Sequence, residues 1–459
     1  MMQARDVKTA ADARKIVEER GLTHVEVAVT DLDGVLRGKY LSRDKFFSAL
    51  ENSFGFCSVL FGWDCNDELY DEACKIEYTG WHNGYRDDEV RVIPESCREL
   101  PHKNSLLFLA EAHSEHGARV CPRNLLSRVL ARADELGFSV VSGFEYEFYG
   151  FNETPQSAAE KGYRDLKLLT PTSCGYSVLR AAVQSELFQD LLKIGQVMDF
   201  PIEGLHTEAG KGAMEAALSL DTGIGSADKA VLFKTFSKAV AQQRDITLSF
   251  MAKYSMEMPG CGGHIHLSLK DKDGKPVFFD AAQAHQMSKT MRHFIAGQQL
   301  LMPEFLAMVA PTVNAYSRLV PGYWAPTSAT WGVDNRTCAL RVVGGSPKSK
   351  RIEYRVTSAD TNPYLVQAAV LASGLWGIEH ELEPTPPSTG NAYVQKVSGE
   401  LTLPRTLAEA AGRLRSSRAA RDCFGDAFVD HFASTREWED REYRRHVSDW
   451  ELKRYFEII

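Results

Sequence analysis

Several marks of large protein classes are missing from this 459-residue chain. Its nine cysteines (57, 65, 74, 97, 121, 174, 261, 338 and 423) form no Cys-x-x-Cys pair. That spacing argues against a structural zinc site and a disulfide framework, and for reduced thiols in a cytoplasmic setting. No apolar run approaches a membrane span. The first residues mix Arg5, Asp6, Lys8, Asp12, Arg14 and Lys15, which leaves no apolar core for a signal peptide. Basic charge is in deficit, with 53 Lys and Arg against 61 Asp and Glu and a net charge of -8, so a nucleic-acid partner is not expected. Repeats and low-complexity tracts are also missing. Gly344-Gly-Ser-Pro-Lys-Ser-Lys350 lacks the spacing of a P-loop.

What remains is ordinary globular composition, 44% hydrophobic and 25% charged, in a chain long enough for two or three domains. Periodicity and turn signals predict a helix over 10–20, a hairpin of strands 25–29 and 35–41 around Asp31-Leu-Asp-Gly34, and a helix over 44–52. Residues 54–67 read as a loop, and strands follow at 91–94 and 105–111. A domain boundary is placed at 118/119, ahead of a helix at 125–136. Then come strand 138–148, helix 178–198, strands 202–207 and 213–219, helix 227–243, and strands 247–250 and 264–270. A long helix at 284–309 is expected to kink or break at Pro303. The fold class is α+β.

The informative stretch is Gly143-Phe-Glu-Tyr-Glu-Phe148. On a strand, Glu145 and Glu147 point one way and Phe144, Tyr146 and Phe148 the other. An isolated Glu-x-Glu is ordinarily a solvated strand face. Here matching partners lie further along: Glu208, Glu215, His264 and Glu353. Five carboxylates and one imidazole form an oxygen-rich set that favours Mg²⁺ or Mn²⁺ over zinc. A cationic set, Arg318, Arg336, Arg341, Lys348 and Arg355, accompanies it. Beside divalent cations, such arginine forks suit phosphoryl transfer from ATP.

Several motifs in series resemble those of the glutamine synthetase superfamily: the Glu-Tyr-Glu stretch, His206-Thr-Glu208, Gly263-His-Ile-His266, Asn314-Ala-Tyr-Ser-Arg318 through Tyr323, Asn335-Arg336, Lys348 to Arg355 and Asn362-Pro-Tyr364. The resemblance covers nearly the whole chain. It implies a β-grasp amino-terminal domain (1–118) and a catalytic domain (119–459) whose curved antiparallel sheet forms a bifunnel for ATP and glutamate. It places Glu147, Glu208 and Glu215 on one metal, and Glu145, His264 and Glu353 on the other. Arg318, with Gly260 nearby, would clamp the glutamate α-carboxylate, and Arg336 and Arg355 would stabilise the transferring phosphoryl group. Arg341, Lys348, His266 and Ser268 would line the nucleotide side. The assembly implied is a homo-oligomer, two stacked hexamers, in which one subunit's amino-terminal domain completes its neighbour's site.

Departures from the family pattern cluster on the amine side. Pro321-Gly-Tyr-Trp-Ala-Pro326 carries Trp324 where the family's flap has glutamate, and Cys174, in Thr172-Ser-Cys-Gly-Tyr176, aligns with a family aspartate. The amino-terminal Asp-Gly-Ser-Ser loop is replaced by Phe61-Gly-Trp-Asp64. Acids that hold ammonium thus give way to apolar surface, while the metal and phosphoryl-transfer residues stay. The expectation is an ATP-dependent ligase joining the glutamate γ-carboxylate to a small organic amine. Trp63, Trp324, Cys174 and Tyr176 would line the amine pocket, and Asp64 would stand in for the lost acid. The alternatives are a glutamine synthetase using ammonia, a polyamine-specific ligase, and a catalytically retired homologue. Tyr393, near a position adenylylated in some members, reads as an ordinary loop tyrosine.

Overall fold

Two β-sheets carry the chain, and each expected strand face decides which side of its sheet is covered. The structure is a computed structural model describing residues 2–100 and 104–459. The first sheet holds β1 (His24–Thr30), β2 (Leu36–Ser42), β3 (Phe54–Cys57), β4 (Asp87–Val92), β5 (Arg98–Leu100) and β6 (Ser105–Ala112). Its order is β2-β1-β6-β4-β3, with β5 also on β6. The hairpin lies where the turn signal put it, because the Asp31 carboxylate accepts the N–H groups of Asp33 and Val35 and closes the turn. β6 is buried along its whole length and runs parallel to β1. Residues 54–67 are not all loop: Phe54-Gly-Phe56 alternates like a strand and pairs with β4, Phe54 opposite Val90.

The second sheet holds β7 (Ser139–Phe151), β8 (Ile202–Thr207), β9 (Ala213–Leu218), β10 (Asp221–Thr222), β11 (Thr247–Ser249), β12 (Gly263–Lys270), β13 (Trp331–Val333), β14 (Leu340–Val343) and β15 (Arg351–Tyr354). Its order is β13-β14-β15-β12-β7-β9-β8, with β10 and β11 also on β7. The antiparallel expectation needs one correction. The three-residue edge strand β13 runs parallel to β14, so the sheet is mixed.

On β7 the aromatic side is buried as expected. Tyr146 and Phe148 pack on Phe233 and Phe250, with ring centroids 5.1 to 6.1 Å apart. Each such ring contributes about 2–3 kcal/mol by leaving water, and Phe233 comes from the helix Gly225–Gln242 that covers this face. The other face of the sheet is thereby left to the carboxylates. Behind the sheet, the helices Lys289–Val309 and Pro363–Glu379 are buried over most of their length. The first runs unbroken through Pro303. The helix expected over 178–198 is two, Val178–Val183 and Ser185–Val197, parted at Gln184, whose ψ of 21° leaves helical geometry.

Buried polar contacts tie the sheets together. Arg123 pairs with Glu111 of β6 at 2.6 Å and with Asp228 at 3.2 Å. Asn362 donates to the carbonyls of Asp31 and Leu32 in the hairpin turn. Among the described residues, no helix is long and apolar enough to cross a membrane.

Candidate active site

Strand register builds the site. Residues directly opposite on neighbouring strands share a face of the sheet, and three rows of polar residues form in this way. Glu147 lies opposite Glu215, which lies opposite His206. His264 lies opposite Glu145. His266 lies opposite Glu353, which lies opposite Arg341. All of these side chains line one cavity of about 1130 Å³, together with Tyr176, Glu208, Gly260, Ser268, Arg318, Trp324, Arg336, Lys348 and Arg355. Sixteen of the nineteen site residues expected from sequence are therefore brought together.

Glu145, His266 and Glu353 each offer an atom within 4.8 Å of the others, the one such cluster among the described residues. The resemblance had put His266 on the nucleotide side and His264 among the ligands. Hydrogen bonding separates the two imidazoles. Arg351 Nε donates to His266 Nδ1 at 3.2 Å, and His266 Nε2 lies 3.2 Å from Glu145 Oε2. His264 Nδ1 lies 3.6 Å from both Glu145 Oε2 and Glu353 Oε1. Glu145 and Glu353 thus have two imidazoles within reach, a set of oxygen and nitrogen donors that could hold a divalent cation.

The second carboxylate group is looser. Glu147 accepts the Gly262 N–H at 2.5 Å, and Glu208 turns back to accept the Ala209 N–H at 2.7 Å. Glu215 lies 3.2 Å from His206 Nε2. Burial pushes the Glu215 carboxyl up to about 8, with Glu145 and Glu147 adding to the shift and the His206 hydrogen bond opposing it. That same hydrogen bond raises His206 to about 8 against its burial. Converging carboxylates and one imidazole thus hold a proton among them, which a divalent cation would displace. On the other side, burial would raise Glu145, but hydrogen bonds from His264 and His266 hold it well below the usual carboxylate range. Glu353 is held at about 2 against its burial by Arg355, His264, His266 and Arg341. Arg341 reaches it at 2.9 Å, and Arg355 bonds its other oxygen.

Arg318 ends the short helix Ala315–Arg318 and is 3% exposed. Its guanidinium donates to the carbonyls of Val356 at 2.9 Å and Arg355 at 3.2 Å and has no carboxylate partner among the described residues. A buried cation without a counter-ion is a ready site for a carboxylate. Glycine makes the room for it: a Cβ at Gly260 would lie 2.6 Å from Arg318 Cγ and 2.7 Å from the Ala252 carbonyl oxygen. Arg336 lines the same cavity and makes no hydrogen bond or ion pair among the described residues.

Three expected residues lie outside the cavity of their own chain. Asp64 spends its carboxylate on the N–H groups of Asn66 and Glu68, at 2.8 and 2.9 Å. Trp63 carries the Arg37 guanidinium 4.8 Å above its ring. Cys174 is exposed, and its carbonyl accepts from Thr207 Oγ1 at 3.0 Å. That contact seats Tyr176, whose left-handed backbone (φ 55°) lays its ring 4.5 Å from that of His206. Trp324 is also left-handed, φ 60°, and 58% exposed on the cavity wall. The Tyr393 hydroxyl is buried and has no hydrogen-bond partner among the described residues.

Sequence reasoning missed Glu203, Tyr323 and Arg351, which also line the cavity. Arg351 was findable, since it shares the alternating face of Glu353 and Arg355. Glu203 sits at a β-bulge between Ile202 and Gly204, which no sequence pattern announces. Tyr323 lies beneath Lys253, 4.2 Å from ring centre to Nζ.

With this geometry in hand, comparison with known proteins is specific. The glutamine synthetase catalytic-domain family matches residues 119–455. The type-1 glutamine synthetase 2 of Dictyostelium discoideum is 44% identical over 95% of this chain and 84% of its own length. The glutamate–isopropylamine ligase of a Pseudomonas species is 34% identical over the full length of both. The gamma-glutamylethanolamide synthetase of Streptomyces coelicolor is 36% identical over 94% of this chain and 92% of its own. Among solved structures, a GmaS/ADP complex superposes with a TM-score of 0.82 at 25% identity, covering 97% of this chain and 99% of that one.

Proposed function

The chain belongs to the glutamine synthetase family of ATP-dependent glutamate ligases, and within it we propose that the acceptor is a small organic amine in place of ammonia. One observation carries this reading. Six carboxylates line the cavity; five are the metal-type set and the sixth is Glu203 on the β8 bulge. At two of the three positions where the ammonium site departs from the family pattern, no acid stands. One holds Trp324 on the cavity wall, and the other holds the exposed Cys174. Apolar surface favours an alkyl or aryl group over a small hydrated cation, and it lowers the pKa of an alkylammonium ion toward the free base. The name of the Pseudomonas relative, a glutamate–isopropylamine ligase, supports the same class.

In this reading Arg318 receives the α-carboxylate of glutamate. The γ-carboxylate oxygen attacks the γ-phosphorus of ATP and ADP leaves, with Arg336 and Arg355 offsetting the charge on the moving phosphoryl group. Lys348, Arg341 and Ser268 hold the nucleotide side. Divalent ions, Mg²⁺ or Mn²⁺, would be held by Glu145, His264 and Glu353 and by Glu147, Glu208 and Glu215, and would supply charge neutralisation. The amine nitrogen then attacks the acyl phosphate carbonyl, inorganic phosphate leaves and the nitrogen loses a proton.

We also assign 1–118 to an amino-terminal domain and 119–459 to the catalytic one. The assembly proposed is a ring, two stacked hexamers, in which Trp63 and Asp64 serve a neighbour. Their placement outside their own chain's cavity supports that. A second reading, glutamine synthetase using ammonia, is favoured by the name of the 44% identical Dictyostelium relative. A polyamine-specific ligase would need a cluster of acids for a distal ammonium, and beyond the metal-type set Glu203 is the one carboxylate lining the cavity among the described residues. A retired homologue has no physical need for the crowded carboxylates.

The test is glutamate- and Mg²⁺-dependent phosphate release from ATP with ammonia, methylamine, ethanolamine, isopropylamine, aniline and putrescine, in wild type and Trp324→Glu. A monoamine should exceed ammonia in the wild type, and the variant should shift toward ammonia. If ammonia wins in the wild type, the second reading replaces the first.

A further inference from the structure

Among the described residues, the largest fully buried side chain takes no part in the chemistry above. Arg436, on the helix Asp426–Tyr443, is 1% exposed. Taking a guanidinium out of water costs several kcal/mol unless every donor is used. Its donors are used on three separate parts of the chain. Nη2 pairs with Asp33 Oδ1 at 2.9 Å, in the hairpin turn of the first sheet. Nη1 donates to the Pro311 carbonyl at 3.0 Å and to Glu439 Oε2 at 3.1 Å. Nε donates to Thr435 Oγ1 at 3.1 Å. Glu439, one turn further along the same helix, accepts the Val313 N–H at 3.0 Å through its other oxygen.

One arginine and one glutamate thus grip the backbone of residues 311–313 at a carbonyl and at an N–H. The next residues are the route to Arg318. Thr312 Oγ1 donates to Asp360 and accepts from the Ala315 N–H, and Asn314 exchanges hydrogen bonds with both backbone groups of Lys253. The short helix Ala315–Arg318 begins there. The helix that does the gripping is itself seated firmly. His431 meets the Phe61 carbonyl at 2.8 Å, Trp438 packs edge-on against Tyr70 at 5.1 Å, and Arg441 pairs with Asp71 at 2.9 Å.

We propose that Arg436 is a positioning residue for glutamate: with Glu439 it fixes residues 311–313 and so aims Arg318 into the cavity, using the Asp33 turn of the first sheet as its anchor. It acts through Arg318 and touches no substrate. The inference rests on the assignment of Arg318 to the glutamate α-carboxylate. A shift of about 1 Å in such a clamp is enough to change binding and rate severalfold to a hundredfold.

The test is steady-state kinetics on the full chain with ATP, glutamate and the best amine, comparing wild type, Arg436→Met, Arg436→Lys, Glu439→Gln and Arg318→Lys, with thermal unfolding of each. Arg436→Met should raise KM for glutamate by at least about tenfold and leave KM for ATP within about twofold. Arg436→Lys should recover part of that loss, and Glu439→Gln should raise KM for glutamate about threefold or more. An equal rise in both KM values, or an unchanged glutamate KM, overturns the proposal. Should Arg436→Met not fold, Arg436→Lys and Glu439→Gln decide by the same split. Arg318→Lys separates the two ideas. If it raises glutamate KM and the Arg436 and Glu439 variants do not, only the positioning role fails. If it has no effect on glutamate KM, the assignment of Arg318 fails and the proposal with it.

Discussion

The two halves of the cavity are built from different material. Most of the side proposed for metals and phosphoryl transfer stands on β7, β9, β12, β14 and β15, where strand register sets Glu147 opposite Glu215, Glu145 opposite His264 and Glu353 opposite His266, while Glu208, Arg336 and Lys348 lie on adjoining loops. The side proposed for the amine stands on loops, where Tyr176 and Trp324 hold left-handed backbones and are 70% and 58% exposed. A strand face cannot shift one residue without turning every side chain to the wrong side. A loop residue can be exchanged at little cost to the fold. Phosphoryl transfer is the step every ligase of this type performs, and the acceptor is the part that varies. The division of labour between strands and loops matches that.

Breaking the strand-borne half should have the largest effect. Glu353→Ala removes a carboxylate from the Glu145, His264 and Glu353 set and strips Arg341 and Arg355 of their shared partner. Phosphate release should fall at least about 10³-fold at any metal concentration. A loss below tenfold would mean that the register-built cluster is not the catalytic one. Gly260→Ala comes next. Its Cβ would press on Arg318 Cγ and on the Ala252 carbonyl oxygen, a backbone atom that cannot swing away. We expect KM for glutamate to rise about 10- to 100-fold with KM for ATP little changed. The loop-borne half should respond in kind rather than in amount. Trp324→Ala should lower kcat/KM for an organic amine about tenfold and change the ammonia reaction less than about twofold. An equal loss with both acceptors would make Trp324 a flap-closing residue and erase the contrast.

How much was legible beforehand follows the same line. Glu145, Glu147, His264 and Glu353 could be placed because a strand alternates with period two, and apolar neighbours such as Tyr146 show which face is buried. Glu203 could not be, because a bulge resets that alternation. Asp64 shows the limit on loops: a short acid beside Asn66 and Glu68 satisfies its own turn, and sequence alone does not separate that from a substrate contact. Pro303 shows the limit of local rules, since the buried helix around it continues unbroken. Arg436 was invisible for a different reason. An arginine in Ser-Thr-Arg-Glu-Trp reads as helix surface, and its partners Asp33 and Pro311 lie far away in sequence.

The smallest effect expected concerns how the loop that carries Trp63 and Asp64 is tethered to the rest. His431 bonds the Phe61 carbonyl through Nε2, and its buried Nδ1 has no hydrogen-bond partner among the described residues. Adding a proton at Nδ1 would bury a charge with nothing to receive it. Burial accordingly holds this imidazole down to about 4, against an ordinary value of about 6.5. The unfolded chain therefore takes up the proton first as pH falls. The contribution of His431 to stability is complete above about pH 6.5 and is lost progressively toward pH 4. His431→Gln can keep a donor to the Phe61 carbonyl but has no site to titrate. Between pH 7 and pH 4.5 the wild-type Tm should drop further than the variant's, by on the order of a few °C in a chain of this size. Parallel Tm curves would show that the acid sensitivity lies elsewhere. The tether would then add nothing to the pH dependence that the buried Glu215 and His206 already give the strands.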